Sequence, residues 1–196
     1  GFERIDPATI RIPLTAGDVA AYRQLSRETA GALESIARDL EPDDTEREVA
    51  AALRVALFNE GIEAPVVLVG GGRRAREHRH FTPKDEALGE YGILAVGAER
   101  GGLVTSTTRT VAFDAPEWLE TRHRKAATVE AAAIDATQRA GRSDDPAYET
   151  VGDVFGAIQD AYAAVGFEGE WRNHHQGGAA GFAGREWKAT PDSYRP

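Results

Sequence analysis

Neither cysteine nor methionine occurs in the 196 residues. Without cysteine there is no disulfide, no thiolate nucleophile and no Cys-ligated metal site. Without methionine there is no initiator, so the chain reads as a piece of a longer one. No apolar run approaches the roughly 20 residues that cross a bilayer, and no basic-then-apolar leader opens the chain. A membrane role is therefore not expected, and the cytoplasm is the default compartment. Positive charge is scarce as well: 23 Lys+Arg stand against 32 Asp+Glu, a formal net charge of −9. A phosphate backbone would be repelled on average, so nucleic acid is not an expected partner. The short basic cluster Arg73, Arg74, Arg76 and Arg79 reads as a solvated loop that leaves room for contact with an anionic ligand.

Against these absences stands a repeated pattern. In TEREVAAALRVALFNEGI, Thr45 and Glu48 form a capping box ahead of an apolar stripe at Val49, Leu53 and Leu57, and Gly61 ends the helix. In TVGDVFGAIQDAYAAVGF, Thr150, Val154, Ile158, Tyr162, Gly166 and Phe167 repeat the offsets of Thr45, Val49, Leu53, Leu57, Gly61 and Ile62. Another helix is expected before each of these. One covers 18–40, with a cap at Thr15 and Asp18; the other covers 116–140, opened by Asp114 and Pro116 and closed by Gly141. Strand-like sequence follows each pair: APVVLVG and GILAVGAERGGLVTSTTRTVAF in the first half, EWRNHHQGGAAGFAGREW in the second. The reading is a duplicated α+β domain of helix-helix-strands units whose sheets meet about a pseudo-twofold axis. Residues 1–14 are then a lead-in or linker and 15–196 the domain, with a first half 15–113 and a second half 114–196 that is incomplete at its C-terminal end. VGGGRR and QGGAAG lack the strand-to-helix setting and the Lys-Ser/Thr of a phosphate loop, and read as turns or as places where backbone approaches a ligand closely.

Three phrases carry a resemblance. In REHRHFTPKDEALGEYGILAVGAERGGLVTSTTRTVAF a histidine precedes a short Pro-containing loop, then a strand, a Gly-containing turn and a second strand that ends in Thr108-Arg109-Thr110. GGAAG at 177–181 has the spacing of a Gly-His-x-x-Gly pattern, with Gly178 at its second place. His174 stands eleven and twelve residues before Arg185 and Glu186. Together with the duplication, these phrases make the chain similar, from about Thr15 onward, to the creatinase/Xaa-Pro aminopeptidase/prolidase family (peptidase M24), whose fold is called the pita bread.

By that resemblance His80 matches the substrate-facing histidine. The two aspartates that bridge a metal pair in the metal-dependent members fall on Ala95 and Ser106, and a histidine ligand falls on Gly178. Two metals about 3.5–4 Å apart need several carboxylates to neutralise their charge. The resemblance therefore implies no metal and no other cofactor at this site. Creatinase is similar in the third phrase and hydrolyses a C–N bond without metal. It implies that Arg185 holds a substrate carboxylate, that His80 transfers a proton near neutral pH, and that His174 or His175 donates to the developing oxyanion. Glu186 would orient an imidazole or pair with Arg185, and Arg109 would bind substrate from the strand end. Neighbours on a strand face opposite sides, so at most one of His174 and His175 is expected to line the site.

Three functions follow. The first is a metal-free hydrolase of the creatinase type acting on a small carboxylate-bearing substrate. The second is a catalytically silent relative whose cleft binds a small molecule, a peptide or a protein. The third is an Xaa-Pro-type metallopeptidase that recruits His80, His174, His175 or Glu99. A small-molecule or peptide ligand is the expected partner, and the resemblance also allows a homodimer.

Overall fold

The computed structural model describes residues 14–141 and 150–193. They fall into two compact units, one within Gly1–Ala115 and Ala180–Glu186, the other within Pro116–Ala179 and Trp187–Pro196.

In the first unit two helices, α1 (Ala16–Arg38) and α2 (Glu46–Asn59), precede three strands: β1 (Glu63–Gly71), β2 (Tyr91–Arg100) and β3 (Leu103–Ala112). The strands form one antiparallel sheet in the order β1-β2-β3, and a short helix, α3 (Gly72–Glu77), lies between β1 and β2. In the second unit α4 (Glu117–Ala140) and α5 (Val151–Ala164) are followed by a 3-10 turn at Glu170–Asn173.

The helix repeat holds at the level of individual hydrogen bonds. The Thr45 hydroxyl accepts from the Glu48 amide while the Glu48 carboxylate accepts from the Thr45 amide, and Thr150 and Asp153 do the same. Each box satisfies donors that a helix start otherwise leaves open. Both helices run 14 residues, and both end alike. The Ile62 amide donates to the Leu57 carbonyl and the Gly61 amide to the Phe58 carbonyl; Phe167 to Tyr162 and Gly166 to Ala163 repeat the pair. This closure needs a left-handed residue, and Gly61 (φ 67°) and Gly166 (φ 79°) supply it. A third box, Thr15 with Asp18, opens α1.

The main core lies between the first two helices and the sheet. Leu25 and Leu33 of α1 and Val49, Leu53 and Leu57 of α2 pack with Val67, Val69, Leu94, Val96, Ala98 and Leu103. Burying each large side chain stabilises the fold by about 1.5–3 kcal/mol. The second unit has a smaller core of Val129, Ile158 and Ala161, with Ala132, Ala133, Tyr162 and Val165 partly buried against it. Among the described residues no helix is long and apolar enough to cross a membrane.

Two expectations change. EWRNHHQGGAAGFAGREW forms no strand: Glu170–Asn173 make a 3-10 turn and the remainder is irregular. Gly169 enters that turn left-handed at φ 85°, and the glycines that follow weaken any extended pairing. VGGGRR is more than a turn. Its arginines open α3, where Arg73 pairs with Glu77 one helical turn on at 2.7 Å.

Candidate functional site

Strand register decides which side chains of the first unit share a face. Leu68 pairs with Ala95 and Val66 with Gly97 across β1 and β2; Ala95 pairs with Thr108 and Gly97 with Ser106 across β2 and β3. Directly opposed residues of an antiparallel pair point to the same side. Leu68, Ala95, Gly97, Ser106 and Thr108 therefore share the outer face of the sheet.

The helix-facing side carries Val96, Thr105 and Arg109. The Thr105 hydroxyl lies 3.1 Å from that of Ser26 on α1. Arg109 donates to Glu34 of α1 at 2.6 and 3.2 Å, to the Thr107 hydroxyl at 3.0 Å and to the Thr108 carbonyl at 2.8 Å. These bonds and the guanidinium charge hold the Glu34 carboxyl below its ordinary pKa. The structure thus ties Arg109 to α1, on the side of the sheet away from Ala95 and Ser106.

His80 lies in the exposed segment after α3. The next residue, Phe81, is buried, and its ring lies where a Cβ of Gly70 would stand, 2.5 Å from that point. Gly70 is two residues from Leu68, so Phe81 seats the His80 segment on the outer face, the face of Ala95 and Ser106.

Arg185 and Glu186 follow a segment bound at another corner. The Val104 amide donates to the Gly181 carbonyl at 2.8 Å, and a Cβ on Gly184 would contact Val104 at 3.5 Å. Gly70 aligns through Ile93 with Thr110, six residues from Val104. At about 3.3 Å per residue and 4.8 Å per strand, the two anchor points are roughly 20 Å apart. Val104, two residues from Ser106, points to the outer face as well, so the Arg185 segment is seated on the same face of the sheet as the His80 segment.

His174 and His175 belong to the second unit. Their rings lie side by side, 4.0 Å between centroids and tilted by 40°, and His174 Nδ1 is 2.7 Å from the His175 carbonyl. His174 lines a cavity of about 640 Å³ with Lys125, Glu130, Tyr162, Phe167 and Gln176. Gln176 is fixed on both ends of its amide: Tyr162 donates to its oxygen at 3.0 Å, and its nitrogen donates to the carbonyls of Trp171 at 3.0 Å and His174 at 2.8 Å. The Lys125 ammonium sits 5.0 Å above the Phe167 ring. An apolar floor with a few fixed polar groups is the usual make-up of a small-ligand site. No motif in the sequence marks Lys125, Tyr162 or Gln176: Tyr162 simply continues the stripe of its helix, and a cavity between helices leaves no local signature.

At the three positions that the resemblance assigns to ligands, the side chains present do not suit a metal pair. Ala95 has no donor atom and Ser106 has only a hydroxyl. At Gly178, with φ 140°, a Cβ would collide with the Trp187 carbonyl oxygen, so no side chain can stand there. Among the described residues no three His, Cys, Asp or Glu side chains gather as a metal ion requires.

The comparisons with known proteins agree with this architecture. No curated protein sequence matches the chain. Among solved structures, a prolidase from Pyrococcus horikoshii OT3 superposes with a TM-score of 0.78 at 20% identity, over 96% of this chain and 53% of its own. Dipeptidase PepE from Mycobacterium ulcerans gives 0.78 at 22% identity, over 96% and 50%. A methionine aminopeptidase from Rickettsia prowazekii gives 0.64 at 14% identity, over 93% and 73%. At such identities the likeness establishes the fold, which is that of the pita-bread domain, and the chain spans about half the length of the prolidase and the dipeptidase. Residues 20–189 match the profile of metallopeptidase family M24. With that match across most of its length, the chain belongs to the M24 family.

Proposed function

We propose that this M24 domain hydrolyses a C–N bond in a small carboxylate-bearing substrate without a bridging metal pair, with His80 as the proton-transferring group. The observation that supports this most directly is the outer face of the sheet, where Ala95 and Ser106 stand at the bridging positions and offer no carboxylate. His80 is seated on that face by Phe81. In the proposed reaction His80 takes a proton from the attacking water, the new C–O bond replaces the C–N bond, and the proton passes to the departing nitrogen. An imidazole with an unperturbed pKa of about 6.5 suits both transfers. The carboxylate of the substrate is met by Arg185, whose segment is seated against Val104 on the same face of the sheet.

The experiment is turnover of small N-acyl and N-amidino amino acids by chelator-treated full chain, followed as amine release. Turnover should persist without metal and fall by roughly 10²–10⁴-fold in His80→Ala. Turnover that requires added Mn²⁺, or that survives His80→Ala unchanged, contradicts the proposal.

A second reading, a binding module without catalysis, is favoured by the cavity at His174 and Gln176. Carboxylate or peptide ligands that bind there with no turnover of any substrate would select it.

A further inference from the structure

The helix repeat isolates one residue. α2 and α5 share their cap, acidic third position, apolar stripe and glycine ending, yet at the first helical position α2 has Glu46 and α5 has Val151. α5 therefore demonstrates that a helix of this kind needs no glutamate there. Glu46 is nonetheless 0% exposed, and glutamate is almost never fully buried unless paired. Its burial has its cause outside the helix.

That cause is the chain between β1 and β2. Glu46 Oε1 accepts from the Gly71 amide at 2.9 Å and from Arg74 Nε at 2.9 Å; Oε2 accepts from Arg74 Nε at 3.1 Å and from the Lys84 amide at 2.9 Å. Arg74 extends the hold by donating to the Thr82 carbonyl at 2.7 Å. Backbone bonds continue it: the Glu46 amide to the Glu86 carbonyl at 2.9 Å, Arg47 to Lys84 at 3.0 Å and Leu88 to Asp44 at 2.9 Å. His80 lies between the two points that Arg74 and Thr82 define, next to the buried Phe81. A carboxylate removed from water makes stronger hydrogen bonds than one at the surface, and loss of one member leaves the others unsatisfied.

We propose that Glu46 is the positioning residue for His80: its buried carboxylate, through Arg74 and the backbone at Thr82 and Lys84, fixes where the His80 segment stands on the outer face of the sheet. The role rests on the reading of His80 as the proton-transferring group, whereas the clasp stands on its own geometry. A reacting group displaced by about 1 Å can cost on the order of 10² in rate, so such a clasp has a chemical consequence as well as a structural one.

The test uses the full chain carrying Glu46→Gln, which turns an acceptor into a donor facing Arg74. The double variant Glu46→Gln/Arg74→Met also removes the opposite charge and serves if the single one fails to fold. Amide exchange and the imidazole resonances of His80 are read, with His123 and the amides of Leu94 and Val96 as internal references. The Lys84 and Gly71 amides should lose roughly tenfold or more of their protection, as befits loss of a hydrogen bond to a charged group. The His80 resonances should shift or broaden while the references stay in place. Unchanged Lys84 and His80 signals in both variants overturn the proposal, as does a loss spread evenly over α2, β2 and β3. Turnover separates the two readings. If Glu46→Gln loosens the loop while His80→Ala keeps full activity, the chemical reading of His80 fails and the clasp survives; if the loop does not move, the positioning role fails whatever the activity.

Discussion

α2 and α5 are the same helix in two settings. Each starts on a threonine cap with an acidic third residue, runs 14 residues and closes on a left-handed glycine. In α2 the stripe Val49, Leu53 and Leu57 is sealed at 0–2% exposure beneath a sheet. In α5 the matching Ile158 is 5% exposed, Val154 and Tyr162 are half-buried, and Ile158 and Tyr162 line a cavity. The difference teaches that caps and periodicity determine a helix while leaving open what covers it. The surroundings of α2 are set by groups far away in the chain, Glu46 with Gly71 and Lys84 foremost among them, and α5 has Val151 in that place.

The largest effect that would sharpen this contrast comes from the two stripes. Leu53→Ala should cost about 3–5 kcal/mol, and Ile158→Ala about 2, because a site beside a cavity loses fewer contacts and can partly collapse. Urea unfolding with exchange resolved by unit measures both, and equal losses would show the second stripe to be as tightly packed as the first. Smaller, and expected to be identical, are the losses from Thr45→Ala and Thr150→Ala, about 1 kcal/mol each. An unequal pair would mean that the helix starts are supported differently despite their matching bonds.

The smallest effect is one of pH. Hydrogen bonds from Arg109, then its charge, hold the Glu34 carboxyl below its ordinary range, and bonds from Thr45 do the same for Glu48. A depressed folded pKa stabilises fully above the unfolded value of about 4.3 and ceases to do so as pH falls through the folded value. Acidification below that range should loosen α1 from β3, and Glu34→Gln should remove this part of the pH dependence. The change is small because both partners are substantially exposed. Exchange of the β3 amides against pH follows it.

Much of the fold was legible because it is written locally. Thr15, Thr45 and Thr150 announced the helix starts, Gly61 and Gly166 the ends, and APVVLVG the strand at Glu63–Gly71. Residues 170–187 were misread as strand because Trp, His and Phe in that stretch mimic strand composition, whereas its glycines favour irregular backbone. Glu46 was invisible as anything but an acidic first-turn residue, since its partners lie 25 to 38 positions away. That the His80 and Arg185 segments share one face of the sheet was equally out of reach, for it follows from strand register, which no spacing in the sequence reveals. That the resemblance sets Ala95, Ser106 and Gly178 at ligand positions could be read from the chain, but only the structure shows that Gly178 has no space for a side chain.

The proposed metal-free chemistry depends on Ala95 and Ser106 standing where a bridging pair of carboxylates would be needed. Metal content tests this most directly, measured by plasma mass spectrometry on full chain purified without chelator and again after dialysis against excess Mn²⁺ and Zn²⁺. Well under one bound metal per chain is expected in both preparations. A value near two per chain, as a bridged pair requires, would contradict it.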